Sequence, residues 1–384
     1  MNTHDSLPSG NVVSTVENGT AGGHLDGLDS DTPAILENDL GTSLVREVNA
    51  IWQVDTEWST WEPRGFTWWG HRYRQRVWSE PGFTDDGFVI YRLCAETGVV
   101  RNLPEGGNFD EVLSTYNAFA PLAGFVHLPE QRRIVLHTSA YAHEGTASWV
   151  GRFLAHSAIL QPILAERLAP IFINLLGGEP DERAHPGNGY RKEPDEMLGV
   201  LDSLYIPHGE EESAWSGSHE FELVTEFLNT RNCFAIGDPQ GLTAEFAFGP
   251  KFTSMLRVDT RERHPLLGSG LLLRLHLPLD LSPEEATALA GHLNRLERNG
   301  GVMSHMVGGW ATHSAGGHHP VFVTFVPTLM HQGNLLQNLV FSMGRRAMDA
   351  EALLTGEDAQ CSVVETILRR LTALGVNSAG AGEV

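Results

Sequence analysis

The run Trp68-Trp69-Gly70-His71-Arg72-Tyr73-Arg74-Gln75-Arg76-Val77-Trp78 holds the residue types best suited to recognising another molecule. It alternates like a strand, and strand side chains alternate faces. Arg72, Arg74, Arg76 and Trp78 should point one way, and Trp69, His71, Tyr73 and Val77 the other. Trp58 and Trp61 lie just upstream. Guanidinium groups beside indoles can grip carboxylates or stack on aromatic faces. Trp68, Trp69, Arg72, Arg74, Arg76 and Trp78 are therefore the candidate partner-binding residues, for an acidic protein segment or a nucleic-acid backbone. The competing role is structural, with the arginines paired to acids on neighbouring strands.

The chain holds 18 histidines, and His305, His313, His318, His319 and His331 crowd one segment. Imidazoles ligate zinc or iron when three or four converge, usually with a carboxylate. No HExxH helix is present, and His318-His319 sits beside Gly316, Gly317 and Pro320, the composition of an exposed turn. His143 and His331 stand at matching places before a long helix, where a structural role is expected. The nearest approach to a serine nucleophile elbow, Thr312-His313-Ser314-Ala315-Gly316, lacks the first glycine and precedes a strand, so it reads as a hairpin loop. Neither lysine, Lys192 or Lys251, follows a phosphate-binding glycine loop, and Gly268-Ser269-Gly270 leads into a strand instead of a helix. The acid runs Glu210-Glu211-Glu212 and Asp85-Asp86 read as solvated loops. No catalytic residue, metal or cofactor is expected.

The 384 residues carry a formal net charge of −22, which disfavours binding to phosphate backbones. Cys94, Cys233 and Cys361 are too scattered for a disulfide framework or a thiolate zinc site, which suits a reducing compartment. No Lys or Arg precedes Arg46, and residues 1–33 read as a disordered acidic tail without the basic start of a secretory signal. The longest apolar segment, 159–176, is interrupted by Pro162, Glu166, Arg167 and Pro170, short of the roughly 18–20 residues that span a bilayer. A cytoplasmic protein is expected, with no membrane partner.

These residues must be positioned by a scaffold, and the chain reads as one unit used twice. Residues 34–177 and 218–354 flank a Pro-, Gly- and acid-rich linker, 178–217, which carries a short helix over 196–205. Each half reads helix, three strands, helix, two strands, helix, an α+β order with helices against an antiparallel sheet. Short matches keep their order: Gly65-Phe66-Thr67 with Gly241-Leu242-Thr243, Arg76-Val77 with Arg257-Val258, and Tyr91-Arg92-Leu93 with Leu273-Arg274-Leu275. Tyr116-Asn117 with Leu293-Asn294 and His143-Glu144-Gly145 with His331-Gln332-Gly333 complete the series, as a tandem duplication requires. Ser282 and Glu285 form a capping-box pattern at the start of the helix 283–298. Residues 355–384 should hold a last helix over 357–374, with an apolar stripe that docks on the body.

The second unit, with LLLRLHLPLDLSPEEATALAGHLNRLERNGG, a β pair, then PTLMHQGNLLQNLVFSMGRRAMDAEAL, resembles the type III secretion chaperone-like fold, including the YbjN-like family of bacterial regulators. The first unit resembles it more weakly over 35–176. The resemblance implies small units that pair as dimers, so a tandem chain would hold both halves of the dimer and be a monomer or weak homo-oligomer. The expected function is a non-catalytic protein-binding module of chaperone-like or regulatory type. Two alternatives stand beside it: a metal-dependent or hydrolytic enzyme using the second-unit histidines, and a nucleic-acid sensor using the Arg/Trp strand.

Overall fold

A computed structural model describes residues 38–85, 87–119, 121–199, 212–248, 251–313 and 318–355. The tail 1–33, the helix expected over 357–374, and Ser314, Glu210, Glu211 and Asp86 lie outside the described residues.

The first copy runs α1 (Leu40–Trp52), β1 (Ser59–Glu62), β2 (Gly65–Trp69), β3 (Arg74–Ser79), β4 (Phe83–Asp85), β5 (Phe88–Arg101), α2 (Phe109–Asn117), β6 (Gly124–Leu128), β7 (Arg133–Ala142) and α3 (Ala147–Leu176). After β8 (Glu179–Pro180), the second copy runs α4 (Glu220–Thr230), β9 (Ala235–Asp238), β10 (Gly241–Phe248), β11 (Phe252–Asp259), β12 (Gly270–His276), α5 (Pro283–Arg298), β13 (Gly309–His313), β14 (His319–Pro327) and α6 (Leu335–Thr355). The fold is α+β, with two antiparallel sheets. Their orders are β1-β2-β3-β5-β7-β6 and β9-β10-β11-β12-β14-β13, which is the same topology twice. More than three strands precede the middle helix of each copy, five in the first and four in the second, because the short edge strands β1 and β9 add one to each and β4 adds another to the first. β4 and β8 are additions of the first copy, both paired with β5.

Local chemistry starts and stops the helices. The side chain of Asp39 accepts from the Thr42 N–H at 2.8 Å and caps α1. Both bonds of the Ser282–Glu285 capping box are made. α3 continues through Pro162 and Pro170, where the prolines were expected to bend or break it. Proline at 162 cannot donate to the carbonyl of Ala158, and the buried Gln75 side chain on β3 donates to that carbonyl in its place. By length and composition the unbroken α3 is apolar enough to cross a membrane, contrary to the sequence expectation. In this fold it packs on β5, β7 and α1, with Trp149, Phe153, Leu154, Ile159 and Phe172 buried.

The expected linker is seated on the first sheet over much of its described length. Glu179–Pro180 pairs with Val100–Arg101, Arg183 N–H donates to the Arg72 carbonyl at 3.1 Å, and Asp195 N–H donates to the Gly70 carbonyl at 2.8 Å. Nor do the two copies stand apart, because the described residues belong to one compact body. At the junction α2 packs on α5, and β6 and β13, each the outermost strand of its sheet, come together. An edge strand leaves backbone donors and acceptors without ladder partners. Here two asparagines supply them. Asn117 accepts from the Phe125 N–H at 2.7 Å and donates to the carbonyls of Phe125 at 3.0 Å and Trp310 at 3.2 Å. Asn294 accepts from the Trp310 N–H at 2.8 Å and donates to the Trp310 carbonyl at 2.9 Å. Glycine is needed for so close an approach: a Cβ on Gly309 would lie 2.6 Å from Asn117 Cγ, and one on Gly124 would lie 2.5 Å from the Gly308 carbonyl oxygen.

Charged groups close the rest of the junction. Buried Arg92 on β5 donates to the last-turn carbonyls of α5, Glu297 at 2.9 Å and Arg298 at 2.7 Å, and to Glu80 at 2.6 Å. That satisfies acceptors at a helix C-terminus with a cation, where the dipole favours one. Asp110 at the start of α2 pairs with Arg295 at 3.1 Å. In the second core Glu297 holds Arg346 through two bonds of 2.8 and 2.9 Å, both residues 1% exposed, and accepts from Trp310 Nε1 at 2.6 Å.

Asn117→Ala removes the side-chain partners of the Phe125 N–H and carbonyl, and Asn294→Ala that of the Trp310 N–H, whose carbonyl keeps Asn117, at roughly 1–3 kcal/mol per orphaned group. Chemical denaturation should therefore show losses well above those of surface variants such as Arg46→Ala. A loss indistinguishable from Arg46→Ala would remove the asparagines from this role.

Candidate functional site

β3 keeps Arg74 and Arg76 on one face as the alternation predicts, but the run is not a single strand: it breaks between β2 and β3, which sets Trp69 opposite Arg74 and not on the other face. Arg72 precedes the strand, and it, Arg74 and Arg76 are exposed; Tyr73, Gln75 and Val77 are buried on the other face, and Trp78 is half-buried. Arg76 Cζ lies 4.8 Å from the centre of the Trp78 ring. Trp68 and Trp69 are corrections to the candidate set. Trp68 is wholly buried against Trp52, with ring centroids 5.4 Å apart, because it shares the inner face with Phe66. Trp69 is on the outer face beside Arg74, but His185 of the linker covers it, with ring centroids 4.7 Å apart. Upstream, Trp58 packs against the same His185 and Trp61 against Phe66.

The three arginines differ in their partners. Arg76 donates hydrogen bonds to both carboxylate oxygens of Glu62, the shortest at 2.6 Å, and Arg72 lies 3.6 Å from Glu182. These are the pairs a structural role requires, though exposed pairs contribute only about 0–1 kcal/mol. Arg74 has no hydrogen bond or ion pair among the described residues. It lines a concavity of about 130 Å³ with Arg76, Trp78, Arg133, Arg183 and Arg298, and with the acids Glu96 and Asp181. Asp181 is buried and already held by Arg133 and Arg183. Although Arg74 keeps solvent contact, desolvation by the atoms around the concavity, and then the like charges of Arg133 and Arg183, hold its guanidinium below the usual arginine range, against the pull of Asp181.

Glu96 forms the other wall. Burial alone would raise its carboxyl, but the hydrogen bond from His137 and the charge of Arg298, 2.7 Å away, hold it down at about 2. Burial pushes His137 down to about 4, so the imidazole is neutral at pH 7 and donates Nδ1–H to Glu96 at 3.2 Å. Arg133, Asp181, Arg183 and Arg298 were not among the sequence candidates. They come from β7, the linker and the second copy, and no short-range pattern links them to β3.

The histidine segment is also placed differently from a turn. His313 ends β13 and His319 opens β14, facing each other in register, and His276 of β12 stands 5.2 Å from His313 between ring centroids. His305 is at the junction, where Nδ1 accepts from the Tyr141 N–H at 3.1 Å. His143 follows β7 and accepts from the Gly145 N–H at 3.1 Å, and His331 stacks edge-on against Trp215. Among the described residues, no group of three or more His, Cys, Asp or Glu is arranged to hold a metal ion. Compared with known proteins, the chain matches no family model, no curated protein and no solved structure.

Stability should respond to acid in two stages. His137 and His305 have folded values of about 4, below their usual 6.5, so their contribution is present above pH 6.5 and is lost as pH falls toward 4. Glu96, at about 2 against a usual 4.5, contributes above pH 4.5 and loses that contribution toward pH 2. His305→Asn keeps an acceptor near the Tyr141 N–H without a titrating ring. It should remove on the order of 3 kcal/mol of the loss at pH 4. Denaturation curves between pH 7 and 4 with the wild-type slope would contradict this.

Proposed function

We propose that this protein is a non-catalytic protein-binding module of chaperone-like or regulatory type, an intrachain pseudo-dimer that works in the cytoplasm without a cofactor. The observation that carries this reading is Arg74, whose guanidinium has no hydrogen bond or ion pair among the described residues, set in a concavity where arginines outnumber acids on a chain of net charge −22. Such a place favours an acidic segment of another polypeptide. Asp181 illustrates the chemistry, since the chain's own carboxylate is gripped there by Arg133 and Arg183. A carboxylate meeting Arg74 would relieve the repulsion from those two neighbours, and an aromatic side chain could lie on half-buried Trp78. The repeated topology and the shared asparagine support the resemblance to dimeric chaperone-like units.

The second copy gives an internal comparison. In register, Thr253, Met255 and Arg257 stand where the first copy has Arg72, Arg74 and Arg76. The row is not a requirement of the scaffold. Replacing Arg72, Arg74 and Arg76 together by Ala should leave the melting temperature nearly unchanged, at under about 0.5 kcal/mol for each exposed arginine. Binding of a fluorescent oligo-aspartate peptide, followed by anisotropy at low salt, should weaken at least about tenfold. A triple variant that unfolds, or that binds the peptide as well as wild type, makes the row structural. Preference for an oligonucleotide of equal charge would move the reading to nucleic acid.

A further inference from the structure

The second sheet has an outer face of its own, and strand register matches its positions to those of the first. Val77 faces Ala95, which faces Thr138; Val258 faces Leu273, which faces Thr324. On these rows the facing pair Arg76 and Glu96 becomes the facing pair Arg257 and Arg274. Gly98 becomes His276, Leu128 becomes His313, and Arg133 becomes His319. An attractive cross-strand pair has become a like-charge pair, which destabilises a sheet. Three imidazoles stand where the first copy has one cation. Glu262 holds Arg274 through bonds of 2.6 and 2.7 Å, whereas Arg257 has no hydrogen bond or ion pair among the described residues.

All five cationic or basic groups line one cavity of about 530 Å³, a size typical of small-molecule sites. The matching concavity of the first sheet measures about 130 Å³, and there Asp181 lies against Gly98, where any Cβ would overlap its carboxylate. The first copy covers this face with a carboxylate from its own chain. Among the described residues the second has no such carboxylate at His276, and apart from Glu245 the charged and basic groups of the lining attract one.

We propose that the cavity bounded by Arg257, Arg274, His276, His313 and His319 is a binding site for a small molecule carrying two or more anionic oxygen groups, carboxylate or phosphate. Arg257 and Arg274 offer planar forks that match either group. His319 Nδ1 donates to the Leu279 carbonyl at 2.8 Å, which fixes the orientation of its ring. The groups facing His276 are Glu245 on β10, Arg257 on β11, Arg274 on its own strand, His313 on β13 and His319 on β14. Burial, then His313, Arg257, Arg274 and His319, hold His276 at about 4. A bound anion acts against those cations and raises that value.

The test is calorimetric titration of the full chain with pyrophosphate and, separately, citrate at low salt. At least one should bind one-to-one with a Kd below roughly 1 mM. Pyrophosphate alone binding identifies a phosphate ligand, and citrate alone a carboxylate. Arg257→Met and Arg257→Gln should weaken binding about tenfold or more. Both should melt at or above the wild-type temperature, because the like-charge pair is gone. The Arg72, Arg74 and Arg76 triple variant should bind the small anion normally, which keeps this site distinct from the first-sheet face. Saturating anion should move the His276 ring titration upward by NMR. Saturable binding of neither anion, wild-type affinity in the Arg257 variants, a lowered melting temperature accompanying their loss of binding, loss of binding in the triple variant, or an unmoved His276 would each overturn the assignment.

Discussion

Two sheets can meet at their outermost strands only if the backbone groups left over there find partners. β6 and β13 face that demand, and Asn117 and Asn294 meet it. Each asparagine sits near the end of a middle helix and reaches the second residue of the strand that follows, Phe125 or Trp310. Asn117 also reaches across to the Trp310 carbonyl of the other copy. The buried threonines Thr138 and Thr324 repeat the device one step further in, donating to the carbonyls of Leu122 and Val307. With the middle helices and outermost strands held this way, Arg92 can reach the end of α5 and Arg298 can reach Glu96. The concavity on the first sheet therefore depends on the junction, since one of its walls belongs to the second copy.

Much of this architecture is visible in residue order. Gly65-Phe66-Thr67 with Gly241-Leu242-Thr243, and Arg76-Val77 with Arg257-Val258, coincide with the register of the two sheets. The matched asparagines proved to be the junction pair. The match of Tyr91-Arg92-Leu93 with Leu273-Arg274-Leu275 does not coincide, because the register sets Ala95, not Leu93 or Tyr91, opposite the same row as Leu273. A leucine-rich strand fits its own pattern in several registers, and only cross-strand partners decide among them. The short strands β1 and β9 were missed because four residues leave too little alternation to read.

The candidate site was legible only as far as period two reaches. Alternation places Arg72, Arg74 and Arg76 on one face, but it cannot say that Trp68 is core or that His185 covers Trp69. Those depend on α1 and on the linker, far away in the chain. The counter-charges are just as remote: Glu62 is on β1, Asp181 beyond α3, and Arg298 in the other copy. The histidines were read as a turn because glycines and a proline surround them, whereas β12, β13 and β14 line them up as neighbours across a sheet.

Joining the copies in one chain also releases them from symmetry. In a dimer of identical subunits every contact across the two-fold occurs twice, so a residue that suits one side must suit the other. Arg92 is free of that condition. Its register counterpart is Gly270, the first residue of β12, so the contact of Arg92 with the last carbonyls of α5 has no mirror image. Such a one-sided contact fixes which copy lies on which side, and dilution cannot separate the halves because each is always present at the other's local concentration. Changes at either outer face can then accumulate independently, without being imposed on its twin.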